Sequence, residues 1–258
     1  MTQVDSGPSP LPEIRTIGFE AIGSSLRGGL RDFLRAPLFG LFFSAVYVAG
    51  GIVLWLVYSA AGEEWWLFPV FLGFPILAPF AAVGLYEVSR RLEAGQPLVW
   101  SEVLGVVFRQ KDRQIPAMAA VIVVVFLFWV FVAHALFALF MGLRAFTDSS
   151  SVLSLFLTGN GPWLLLVGGA IGAAFAAVLF STTVGGLPML LDREVDFVSA
   201  MITSVQAVLA NPLPMLAWGL VIAVLLFLGM APLFLGLFLV LPILGHASWH
   251  MYRALFVA

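Results

Sequence analysis

The stretch IPAMAAVIVVVFLFWVFVAHALFALFM, residues 115–141, decides what kind of protein this is. It contains no Lys, Arg, Asp or Glu. A helix needs about 20 apolar residues to cross a hydrocarbon core about 30 Å thick, and this run exceeds that. A second uncharged run, Pro212–Gly245, is long enough for nearly two crossings, with Gly229-Met230-Ala231-Pro232 the natural place to turn. Backbone polar groups in lipid must satisfy one another, so only helices or closed barrels span. Continuous apolar runs lack the alternation of a barrel strand, which leaves helices. The whole chain agrees: of 258 residues, 62% are hydrophobic and 10% charged, a composition outside that of soluble domains.

Working outward, the chain reads as an all-α integral membrane protein with six crossings in three pseudo-repeats. Each repeat is an amphipathic interfacial helix followed by a helix pair. The repeats cover about 14–93, 97–194 and 196–256, within one domain spanning 14–258. The clearest copies are Leu72-Gly73, Pro79, Tyr86-Glu87, Arg90 and Leu92 against Leu235-Gly236, Pro242, Trp249-His250, Arg253 and Leu255, all at one offset of 163 positions. Asn211-Pro212 likewise stands where the first repeat has Ala36-Pro37. Residues 1–13, rich in Pro, Ser and Gly, read as a disordered tail.

In the first amphipathic stretch, Ile22, Leu26, Leu30, Phe33 and Leu34 recur at helical spacing beside a basic edge of Arg27, Arg31 and Arg35. Crossings are expected at about 38–60, 66–88, 115–143 and 163–191, followed by two more that finish the chain. Trp65 and Trp66 suit an aromatic belt, and Pro75 and Pro79 should kink the second crossing. Ser101 is the expected N-cap of the second amphipathic helix. Gly168, Gly172 and Ala176, four residues apart, suit close helix packing.

Every Lys and Arg except Arg144 falls on one side of this layout. The positive-inside rule then puts both termini on the cytoplasmic side. There is no cysteine, which excludes disulfides, thiolate metal sites and Cys nucleophiles. A net charge of −2 without a basic cluster gives no reason to expect a nucleic-acid partner. No phosphate loop, nucleophile elbow or zinc-protease helix is present, so no enzyme mechanism is indicated.

Ionisable residues at membrane depth mark the functional candidates. His246 and His250 sit four residues apart on one helical face, where two imidazoles can share a metal. Glu87, the counterpart of His250 in the repeat, and Asp192 are the carboxylates expected at the same depth. Arg253 on the same face opposes a cation, so the competing expectation is a boundary network of ion pairs, such as Glu87 with Arg253. Arg90 and Trp249 belong to the same ends. His134, alone in an apolar stretch, is expected to stay neutral and donate to a neighbouring helix. Glu87, Pro188 and His250 fill the three equivalent corners of the repeats.

Three segments carry a resemblance: Gly84-Leu-Tyr-Glu-Val-Ser-Arg-Arg-Leu92, Leu187-Pro-Met-Leu-Leu-Asp-Arg-Glu-Val-Asp-Phe197 leading to Asn211-Pro212, and Leu241-Pro-Ile-Leu-Gly-His-Ala-Ser-Trp-His-Met-Tyr-Arg253. Over about residues 15–256 the chain resembles a bacterial family of integral membrane proteins known as domain of unknown function 2189. The resemblance implies a proteobacterial inner-membrane protein without an assigned activity. Some relatives carry the label cytochrome c oxidase subunit I, which implies about twelve helices and about six metal-binding histidines. This chain has three histidines. The expectation is therefore a structural, accessory or assembly component that binds lipid or another membrane complex, respiratory ones included, with no cofactor. Two alternatives stand beside it. One is a small transporter or channel along the pseudo-threefold axis, its path lined by Glu87, Ser181, Thr182 and His246. The other is a metal or haem protein using His246 and His250.

Overall fold

A computed structural model describes residues 10–61, 67–142, 156–232 and 234–257. The described residues are helical almost throughout. In chain order the helices are α1 (Glu20–Arg35), α2 (Pro37–Ala61), α3 (Leu67–Glu93), α4 (Trp100–Arg109), α5 (Ile115–Met141), α6 (Gly161–Thr183), α7 (Gly186–Asp192), α8 (Phe197–Ala210), α9 (Pro212–Met230) and α10 (Leu237–Leu255). Among the described residues, three spans are long and apolar enough to cross a membrane: Ile115–Met141, Gly161–Asp192 and Pro212–Met230. A fourth follows if α1 and the start of α2, bent by 103° to one another, make one broken span.

Prolines set where the helices break. Pro37 and Pro212 open α2 and α9, where a missing N–H costs nothing, and each forces the preceding residue out of the helical region. Those preceding residues adopt nearly the same conformation: Ala36 at φ −135°, ψ 52° and Asn211 at φ −131°, ψ 53°. α9 stops at Met230, within the turn expected from the sequence. α5 ends at Gly142, whose φ of +67° suits glycine and whose N–H bonds the Ala138 carbonyl. The backbone of α3 stays helical through Pro75 and Pro79, and that of α10 through Pro242.

Several local expectations need correction. Val99, not Ser101, precedes the first turn of α4, and no side chain caps it. The 163–191 helix begins at Gly161 and breaks at Val184-Gly185, giving α6 and the short α7. The expected Trp65-Trp66 belt, most of the 144–161 loop and residues 1–9 of the expected tail lie outside the described residues. Beyond the tail, Ile14 pairs with Phe256 in an antiparallel bridge, with Val257 N–H bonding the Glu13 carbonyl at 3.0 Å.

The chain divides into two compact units. One comprises residues up to Ala120 and from Ser181 onward; the other is Val121–Phe180. In the first, α10 is central and packs against α1, α2, α3 and α9. Beside it, Phe39, Phe43, Ala81, Leu85, Val88 and Val103 form a buried cluster, and Phe39 stacks on Trp100 with centroids 3.9 Å apart. Gly84 makes room for the Phe43 ring: a Cβ there would lie 2.2 Å from it. Burial against lipid does not favour helix pairing, so close backbone approach of this kind carries much of the packing.

The second unit holds α5 from Val121 onward and α6 up to Phe180. Trp129 and Phe175 pack at 5.7 Å, and a Cβ at Gly172 would meet Trp129 at 3.0 Å. Phe128, Phe131, Leu139, Leu165 and Leu166 point outward. An apolar exterior of this extent is suited to lipid and not to water.

Candidate functional site

The polar side chains of the first unit gather around the last turns of α10. His246, Trp249, His250 and Arg253 follow i, i+3, i+4, i+7 spacing and so share one face. Helices α1, α3 and α7 supply their polar partners.

α1 approaches α10 through Gly28 and Gly29. A Cβ on Gly28 would lie 2.6 Å from the His250 ring, and one on Gly29 2.4 Å from the Ile243 carbonyl oxygen. This contact brings Asp32, only 3% exposed, to His250: Oδ2 and Nε2 are 2.7 Å apart. Ser89 of α3 lies near the Asp32 carboxylate. The Ser89 hydroxyl lies 2.8 Å from Nδ1 of the fully buried His246. Ser89 thus pairs with His246 Nδ1 and His250 Nε2 with Asp32, while His246 Nε2 is buried without a hydrogen-bond partner among the described residues.

A second cluster adjoins on the same face. Trp249 Nε1 and Arg253 Nε both donate to Glu93, at 3.0 and 3.1 Å. Arg253 also grips both oxygens of Asp192, at 3.0 and 3.2 Å, while the Tyr252 hydroxyl donates to Asp192 at 2.9 Å. The guanidinium lies over the Trp249 ring, 4.7 Å from its centroid. Arg253 therefore joins α10 to the ends of α3 and α7.

A third cluster surrounds Glu87, which is fully buried. It accepts from Arg90 Nε at 2.7 Å, Arg90 Nη2 at 3.0 Å and Arg91 Nε at 2.7 Å. Arg91 continues to Glu102 of α4 and to the Pro97 carbonyl. Glu87 thus pairs within its own helix, while Arg253, the expected partner, is engaged by Glu93 and Asp192.

The four residues expected to converge are therefore distributed. His246 pairs with Ser89 and His250 with Asp32, whereas Glu87 and Asp192 are each held by arginine. Among the described residues no group of three or more His, Asp or Glu is arranged to hold a metal ion. His134 bonds the Val130 carbonyl of its own helix at 2.8 Å, not a neighbouring one.

Asp32, Ser89, Glu93, Tyr252 and Asn211 are site residues that the sequence reading passed over. Asn211 is buried, and its side chain accepts from Ile17 N–H at 2.7 Å and donates to the Arg15 and Ala207 carbonyls. It ties the segment before α1 to the end of α8. A signal existed for Asp32: it is the lone acid among Arg27, Arg31 and Arg35, beside a Gly-Gly pair that only close packing explains.

Searches among curated proteins and among solved structures found no match. A family model does match. Its segment contains the whole Glu87 cluster and, with Ser89, Glu93 and Asp192, one side of the other two, while Asp32 and the α10 face lie outside it. Residues 67–192 match the family described as Predicted integral membrane protein (DUF2189), and the chain is accordingly a membrane protein with several apolar helices.

Proposed function

We propose that this chain is a multi-pass structural or accessory component of a bacterial inner membrane that works by binding lipid or another membrane complex. The observation that carries this reading is how the ionisable residues are used. Asp32 with His250, and Arg253 with Glu93 and Asp192, lock helices together, while Glu87 is held by Arg90 and Arg91 within α3 and Arg91 reaches on to Glu102 of α4. Buried pairs of this kind fix one arrangement of helices more than they add stability. Such use suits a scaffold.

The full layout proposed has six crossings, three pseudo-repeats and both termini in the cytoplasm. The matched backbone at Ala36 and Asn211 supports equivalence of the first and third repeats. α2, with 25 residues and no charge, has the length and composition of a crossing. Because the chain has no native cysteine, single introduced cysteines report topology cleanly. A cysteine beside Arg144 should react with an impermeant reagent added outside the cell, and one at Gly95 only after lysis. The reverse pattern would overturn the orientation. Purification in mild detergent should retain a defined lipid or protein companion, and repeated recovery of a bare monomer would overturn the accessory role.

A further inference from the structure

We infer that the outward face of α1 is a binding surface for anionic phospholipid headgroups, an inference that rests on the membrane reading above. Three observations place it. First, α1 is bent by 103° from the start of α2, so if α2 crosses the bilayer, α1 lies close to the membrane plane. Second, the rotation of α1 about its axis is fixed, because Gly28, Gly29, Asp32 and Phe33 are all buried, the first three in contact with α10. Third, the residues left exposed on the opposite side form a strip with two edges. Leu30 and Leu34 occupy one, 44% and 67% exposed; Arg27, Arg31 and Arg35 occupy the other.

The charge on this strip is not neutralised locally. Among the described residues Arg27 and Arg35 pair with no carboxylate, and Arg31 lies 3.8 Å from an Asp32 already engaged by His250. Arg27 merely donates to the Gly23 carbonyl of its own helix. The only acid on α1 besides Asp32 is Glu20, in the first turn. A cationic edge beside an apolar edge, on a helix in the membrane plane, matches the boundary between phosphates and acyl chains. The leucines reach the acyl region while the guanidiniums pair with phosphate oxygens, two hydrogen bonds at a time. Each arginine near an anionic surface should contribute about a fivefold preference for anionic over zwitterionic lipid.

The test uses full-length protein in nanodiscs, of phosphatidylcholine alone or with phosphatidylglycerol added. An environment-sensitive fluorophore is attached in separate samples through Leu30→Cys and Phe131→Cys, the latter on the exposed apolar side of α5. The probe at 30 should report an apolar setting, shifting further with phosphatidylglycerol and shifting back in high salt. A triple Arg27→Gln, Arg31→Gln, Arg35→Gln variant should abolish that lipid dependence, and the triple Lys variant should keep most of it. A probe at 30 that reports water in both lipids while the probe at 131 reports hydrocarbon would overturn this inference and leave the membrane reading intact. Water at both positions would overturn both. Lipid dependence that survives the Gln substitutions would also overturn it.

Discussion

The Asp32 carboxylate and the His250 imidazole, 218 positions apart, meet at 2.7 Å and fasten the first helix of the chain to the last. The pair exists because Gly28 and Gly29 let the two backbones come within side-chain-free distance. A carboxylate this buried is costly unless paired, so the two partners should prove unequal when removed singly and together.

His250→Ala strands Asp32 and should destabilise the protein by about 3 kcal/mol. Adding Asp32→Ala to that variant should recover part of the loss, since no unpaired charge then remains. Thermal unfolding of the four proteins in one mild detergent gives the coupling. Strictly additive losses would mean that the contact contributes nothing.

Gly29→Ala should loosen α1 from α10. The new Cβ would meet the Ile243 carbonyl oxygen and the Ala247 nitrogen, backbone atoms that cannot rotate away. A cost of about 1–3 kcal/mol is expected. Gly23→Ala on the same helix meets nothing within 4 Å and should be neutral or stabilising by up to about 1 kcal/mol. Protease sensitivity of α1 separates the two, and equal behaviour would refute the close contact.

Asn211→Ala should release the segment before α1. It leaves the Ile17 N–H and the Arg15 carbonyl without their side-chain partner, at about 1–3 kcal/mol. Hydrogen exchange at Ile17 should accelerate while exchange in the middle of α9 stays unchanged. Unaltered protection at Ile17 would show that the clamp is dispensable.

Asp196 caps α8 by accepting from the Ser199 N–H at 2.9 Å. Its hydrogen bonds to Ser199 hold the carboxyl below its ordinary value of 3.8. The cap's contribution is therefore complete above that value and fades as the pH falls through the lowered one. Asp196→Ala should cost about 1 kcal/mol at neutral pH. The difference from the native protein should shrink in strong acid, and a gap that widened on acidification would reverse the sign argued here.

Much of the fold could be read along the chain. The uncharged runs gave α5 and α9, and the prolines at 37 and 212 marked the breaks that the backbone makes. The site was less legible. His246, His250, Glu87 and Asp192 were recognisable as ionisable residues near helix ends, but their partners were not. Glu87 turns to Arg90 and Arg91 in its own helix, and the carboxylate beside His250 is Asp32 from the opposite end of the chain. His134 was expected to reach across to another helix, yet a carbonyl four residues back is nearer.

By itself the sequence determined that this is an all-helical membrane protein. Apolar length and the absence of charge are properties of a segment alone, and lipid admits few other structures. It also marked the basic edge of α1, because helical periodicity is local. Only the tertiary structure decided which way that helix faces and which carboxylate meets which cation. The first depends on contact between segments about 200 residues apart, set by small residues whose role appears only when two backbones are brought together. The second ranges from Glu87 and Arg90 within one helix to Asp32 and His250 at opposite ends of the chain.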